Sequence, residues 1–121
     1  MEQLLCHLVG DYILQSHTMA INKRSDVRWA IYHGITYTLP FILIASSNAL
    51  FVIAFTHVII DHLGIANYIT SYKNYVFGTF NAKALSEVYP ETTPPFLGVW
   101  LCIILDNTLH LLINYLSIKY L

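Results

Sequence analysis

Four long apolar runs separated by short polar stretches organise this chain, covering residues 2–19, 29–45, 49–69 and 96–118. A helix of about 20 apolar residues crosses the hydrocarbon core of a bilayer. The pattern therefore predicts an all-α, four-transmembrane-helix bundle with a cytoplasmic loop between helices 3 and 4, built as one integral membrane domain over residues 1–121. Polar residues inside these runs recur at helical spacing. His57 and Asp61 stand four residues apart, which puts both on one face of a helix, one turn from each other. His7 with Asp11, and Asp106 with His110, repeat that spacing on two other runs. Gln15 continues the stripe of His7 and Asp11, and Asn114 continues that of His110.

The connecting segments differ in character. Residues 20–28 are basic, with Lys23, Arg24 and Arg28, whereas residues 46–48 form an uncharged Ser-Ser-Asn turn. Residues 70–95 are the long polar stretch, and its Tyr72, Tyr75, Phe77, Phe80 and Tyr89 suit a membrane interface. Within it, residues 81–88 read as a short surface helix capped by Asn81; Pro90, Pro94 and Pro95 then break the chain before the last run. Pro40 has no backbone donor, so a kink is expected in the second helix, with the carbonyl of Thr36 freed. Lys23, Arg24, Arg28, Lys73 and Lys83 all fall in the two long loops. The positive-inside rule places those loops in the cytoplasm and both termini outside, with Lys119 as a minor dissent. Residues 2–19 do not read as a secretory leader, because they lack a basic start and carry Asp11 at their centre.

Composition agrees with this pattern. Of the 121 residues 56% are hydrophobic and 11% charged, and the mean hydropathy is +0.56; a soluble domain of this size needs more polar surface. The net charge of −1 says nothing of partners, because the charges are segregated by position. Membrane lipid is the expected surrounding, and no nucleic-acid partner is expected. Cys6 and Cys102 lie in apolar runs without C-x-x-C spacing and read as small buried fillers.

Topology lets depth be counted. Asp11, Asp61 and Asp106 each lie roughly 8–10 residues from the cytoplasmic end of their run, near the bilayer midplane at about 1.5 Å per residue. His7, His57 and His110 lie one turn beyond, and His33 enters from the second helix closer to the cytoplasmic mouth. One intramembrane His–Asp pair is equally well explained as an interhelical hydrogen bond. Three pairs on three helices favour a shared site. Three ionised carboxylates in low dielectric repel strongly unless cations neutralise them. One or two divalent metal ions answer that need, held by His7, Asp11, His33, His57, Asp61, Asp106 and His110. Mixed imidazole and carboxylate donors favour zinc, with manganese or iron as further candidates, over calcium or magnesium. Gln15 and Asn114 would hydrogen-bond the ligands from behind. His62 points about 100° away from Asp61 and reads as a helix-packing residue.

The motifs His-x-x-Gly-Asp from His7 to Asp11 with Gln15, Met-Ala-Ile-Asn-Lys ending at Lys23, His33, His-x-x-x-Asp ending at Asp61, and Asp-x-x-x-His from Asp106 to His110 resemble a known family. It is the small integral-membrane family called domain of unknown function 3307, found in bacteria and phages. Asn107 stands where that family's last motif usually has glutamine, and the lysine often found just after the third-helix aspartate is absent. The chain is also distantly similar to the membrane-bound metal-dependent hydrolases of bacterial inner membranes. The resemblance implies an integral protein of the bacterial inner membrane, and the analogy raises the prospect of an enzyme. The expected function is a membrane-embedded metal-dependent hydrolase acting on a phosphate-containing lipid or lipid-linked substrate. His33, Asp11 and Asp61 are its candidate catalytic residues, with Lys23 and Arg24 placing the anion and residues 70–95 as a lid. The alternatives are a proton- or metal-ion pathway, which in a chain this small implies a homo-oligomer, and a phage-type accessory protein without catalysis.

Overall fold

The first helix, α1 (Glu2–Leu8), does not run on to residue 19. It widens into a π-helical turn at Val9–Ile13, closed by the Leu14 N–H donating to the Val9 carbonyl at 2.9 Å. Ser16 then takes extended backbone, and its hydroxyl accepts from the Met19 N–H, which starts the separate helix α2 (His17–Asn22). The expected first run is therefore two helices, divided by a serine cap that hydropathy alone does not register. These elements belong to a computed structural model that describes residues 1–78, 88–89 and 91–121.

Asp26 opens α3 (Val27–Thr38): its carboxylate accepts from the Arg28 N–H at 3.0 Å and grips the Arg28 guanidinium at 2.8 Å. That guanidinium, together with the backbone N–H, holds the Asp26 carboxyl below its ordinary pKa. The kink expected at Pro40 is instead a change of helix type. The chain tightens to a 3₁₀ stretch at Leu39–Leu43, and the Leu39 N–H takes the Thr36 carbonyl that proline was expected to free.

Helix α4 (Ser47–Leu63) carries His57 and Asp61 and ends at Gly64, whose φ of 64° and ψ of 43° lie in the left-handed region that glycine adopts without penalty. Helix α5 (Ile65–Phe77) follows, and α6 (Pro95–Tyr120) closes the chain. The described residues form helices joined by turns and short irregular stretches, without a strand. Among them α6 is the one unbroken helix long and apolar enough to cross a membrane; α4 and α5 meet that standard only when taken together across their break. Most of the short helix expected at 81–88 lies outside the described residues.

The helices form two compact units, one of residues 1–63 and 110–121, the other of residues 64–109. In the first, Tyr37, Phe41 and Ile53 make a small buried apolar core against Cys6, Leu50 and Ile118. Two glycines allow close approach. A Cβ on Gly34 would fall 2.5 Å from a Val58 methyl on α4, and one on Gly10 would fall 2.6 Å from the Tyr37 ring and 2.9 Å from its carbonyl oxygen. In the second unit, Asn74 donates to the Val88 carbonyl at 2.8 Å, beside a cavity of about 630 Å³ lined by Tyr89, Pro95, Val99, Cys102 and Ile103.

Polarity is inverted relative to a water-soluble domain. His7, His33, His57, Asp61, His110 and Asn114 are buried, while Leu5, Ile13, Ile35, Leu43, Phe51 and Phe55 are exposed. Water-soluble domains bury the second set and expose most of the first.

Candidate metal centre

Each wall of the first unit contributes through a local feature. The π-helical turn carries Asp11 directly after Gly10, so the missing Cβ lets that turn sit against Tyr37 of α3 and brings the Asp11 carboxylate to His33. On α4 the four-residue spacing puts His57 and Asp61 on one face, with Nε2 of the first 3.1 Å from Oδ2 of the second. His110 comes from the C-terminal part of α6 and presents Nε2 at 3.4 Å from Asp61 Oδ1.

Ligand atoms converge at the centre. His33 Nε2 lies 3.2 Å from Asp11 Oδ1 and 3.4 Å from Asp61 Oδ2, and His57 Nε2 lies 3.6 Å from Asp11 Oδ1. Yet Asp11 Oδ1 and both ring nitrogens of His33 and of His57 are buried without a directed hydrogen bond among the described residues. Buried polar atoms that approach one another without bonding one another ask for a common partner. Donors bound at about 2.0–2.1 Å to a tetrahedral ion sit about 3.3 Å apart, close to the separations found here. Two groups offer ligand atoms that all lie within 4.8 Å of one another, Asp11 with His33 and His57, and His57 with Asp61 and His110. Either group could hold a metal ion. Both use His57, so they describe overlapping positions.

The aromatic setting is tight. The Tyr37 ring stacks on His57 with centroids 3.7 Å apart, and His110 lies 4.2 Å from His57 on centroids. This stacking restricts rotation of the His57 ring and so fixes its ligand atom.

The remaining expected residues separate. Lys23, anticipated at the mouth, reaches inward, its ammonium 2.8 Å from Asp61 Oδ2 and about one-fifth exposed. Its carbonyl accepts a 2.9 Å bond from Nδ1–H of His62, which fixes that imidazole's tautomer and ties the end of α2 to α4. Arg24 stays on the exposed side. His33 is not a residue of the mouth: it is fully buried between the two carboxylates. His7 belongs to neither ligand group, its Nδ1 lying 2.8 Å from the Tyr37 hydroxyl and 3.4 Å from Asp11 Oδ2. Asn114 donates to that same hydroxyl at 2.6 Å. Gln15 is half-buried, and its amide nitrogen has no hydrogen bond among the described residues. Asp106 is in neither ligand group, and the carboxylates of those groups are Asp11 and Asp61.

Tyr37 stands out in the sequence only by its place four residues after His33, a spacing that by itself gives it no role. The π-helical turn has no hydropathy signature. Such turns inside helices occur frequently at functional sites.

Among curated proteins and among solved structures, none matches the chain. A protein-family model does, and the residues it covers include the π-helical turn, Lys23, His33, His57 and Asp61. It is described as Protein of unknown function (DUF3307) and matches residues 1–90, so the chain belongs to that family.

Proposed function

We propose that this chain is a membrane-embedded, metal-dependent hydrolase whose substrate is a phosphate-containing lipid or lipid-linked compound. One observation carries the reading: buried carboxylate and imidazole atoms of Asp11, His33, His57 and Asp61 meet at ion-sharing distances, with the Lys23 ammonium beside them. The apolar surface and the length of α6 support placement in a bilayer, with the four-helix topology and the inner membrane as parts of the same proposal. The donor set suits zinc best, and manganese or iron next. Charge supports a single ion. Two carboxylates, one ammonium and a hydroxide balance one divalent cation to zero.

A bound divalent ion would supply an activated water and polarise a phosphoryl oxygen. The protein's own part is positioning. Asp11, His33, His57 and Asp61 hold the ion, and the apolar surroundings exclude competing water. Lys23 approaches from the partly exposed side, where it would bind a phosphate oxygen and neutralise charge on the departing group. The test uses detergent-solubilised protein loaded with Zn²⁺, Mn²⁺ or Fe²⁺ and mixed with lipid phosphomonoesters and lipid pyrophosphates. Metal-dependent phosphate release that disappears in His57→Gln supports the reading. An ion bound without turnover of any such lipid counts against it.

A second reading draws on the shared His57. Two overlapping groups with one common ligand are also the arrangement of a hand-over path for an ion, with the chain as a transport unit, in a homo-oligomer. Zinc flux into liposomes, lost in Asp11→Asn, would favour it over hydrolysis.

A further inference from the structure

Tyr37 is the largest fully buried side chain among the described residues, and hydrolysis as set out above gives it no task. Its hydroxyl oxygen accepts from Asn114 Nδ2 at 2.6 Å and lies 2.8 Å from His7 Nδ1, which in turn lies 3.4 Å from Asp11 Oδ2. The other oxygen of Asp11 faces His33 and His57. A carboxylate that binds an ion through one oxygen is commonly held through its other, and loss of the holding group weakens metal binding. We infer that Tyr37 is a positioning residue: clamped by Asn114, it fixes His7 as the outer partner of Asp11, and His7 is not itself a metal ligand.

The chemistry follows from the donors. A phenol oxygen has two lone pairs: with one taken by Asn114 the other accepts from His7 Nδ1–H, and that same N–H faces the outer oxygen of Asp11, which as a carboxylate only accepts. The contacts of His7 with Tyr37 and with the outer oxygen of Asp11 both use Nδ1. Tyr37 also stacks on the ligand His57, so one side chain orients ligands on two helices, α1 with its turn and α4. The inference rests on the metal-centre reading and adds to it a second layer that sets affinity.

The test is Co²⁺ binding followed by visible absorption, with helicity checked by circular dichroism. Tyr37→Phe keeps the ring stacked on His57 and removes only the hydroxyl. It should keep the wild-type stoichiometry and absorption band while affinity falls about 10- to 100-fold, the usual cost of losing an outer partner. A second pair of variants holds even if that one folds poorly. Asparagine reaches the position of an imidazole Nδ1 and glutamine that of Nε2, so His7→Asn should retain most of the affinity and His7→Gln should not. An unchanged affinity in Tyr37→Phe overturns the inference. So does a Co²⁺ band in His7→Asn that reports a lost ligand. Wild-type protein that takes up no Co²⁺ removes the metal centre and this inference together; uptake with an unaltered Tyr37→Phe removes this inference alone.

Discussion

Replacing Gly10 with alanine tests how closely fold and site are joined. The added Cβ would lie 2.6 Å from Tyr37 Cδ2, 2.9 Å from the Tyr37 carbonyl oxygen and 3.1 Å from its Cα. Carbon atoms rest comfortably at about 3.5–4.0 Å, so the π-helical turn must retreat from α3 by about 1 Å. Tyr37 has little room to yield, because two of those three atoms are backbone and its ring is stacked on His57 at 3.7 Å. Asp11, the next residue, moves with the turn. Its Oδ1, now 3.2 Å from His33 Nε2, would stand about 4 Å away, beyond the separation of about 3.4 Å that suits two donors of a tetrahedral ion at bonds of about 2.1 Å. Overpacking of this kind costs about 1–3 kcal/mol, against a gain of about 1 kcal/mol in helix propensity from glycine to alanine. The expected result is a lower unfolding midpoint and a Zn²⁺ affinity weaker by about tenfold or more, the usual scale for misplaced ligands. Gly98→Ala is the control, since the described atoms nearest its Cβ belong to the Tyr89 side chain, from 3.2 Å, in the other unit. Circular dichroism melts and Zn²⁺ titration in detergent read both effects. Wild-type stability together with wild-type affinity in Gly10→Ala would refute the argument.

Two further predictions concern charge. Lys23→Ala leaves the buried carboxylate of Asp61 without its ammonium, at a cost of about 2–3 kcal/mol for the metal-free protein. Zn²⁺ should recover much of that loss by taking over the neutralisation, so equal deficits with and without metal would contradict the placement. Asp26 lies three residues after Lys23, at the start of α3. Arg28 lowers its folded pKa below the ordinary 3.8, so the ion pair stabilises α3 at neutral pH and that contribution fades as pH falls through the lowered value. The difference in melting temperature between wild type and Asp26→Asn should therefore be present at pH 7 and shrink below about pH 4. A difference that grew on acidification would reverse the sign.

Legibility from sequence depended on distance along the chain. The pairings of His7 with Asp11 and of His57 with Asp61 are local, fixed by the turn of a helix, and both meet in space. His33 has no carboxylate at helical spacing, yet α3 packs on α4 closely enough at Gly34 to carry it between the carboxylates. Long-range contacts were less visible. Lys23 lies 38 residues from Asp61 and Tyr37 lies 77 from Asn114, and nothing local in the sequence announces either contact. The same limit applies to the first run, where Ser16 ends one helix and caps the next although hydropathy continues across it.

The central claim is that these residues hold a metal ion. Metal analysis of the purified, detergent-solubilised protein tests it most directly, with wild type compared with Asp61→Asn prepared in parallel. About one equivalent of zinc, manganese or iron per wild-type chain is expected, as for a site of four protein donors, with a clear loss in the variant. Substoichiometric metal that does not differ between the two proteins would contradict it.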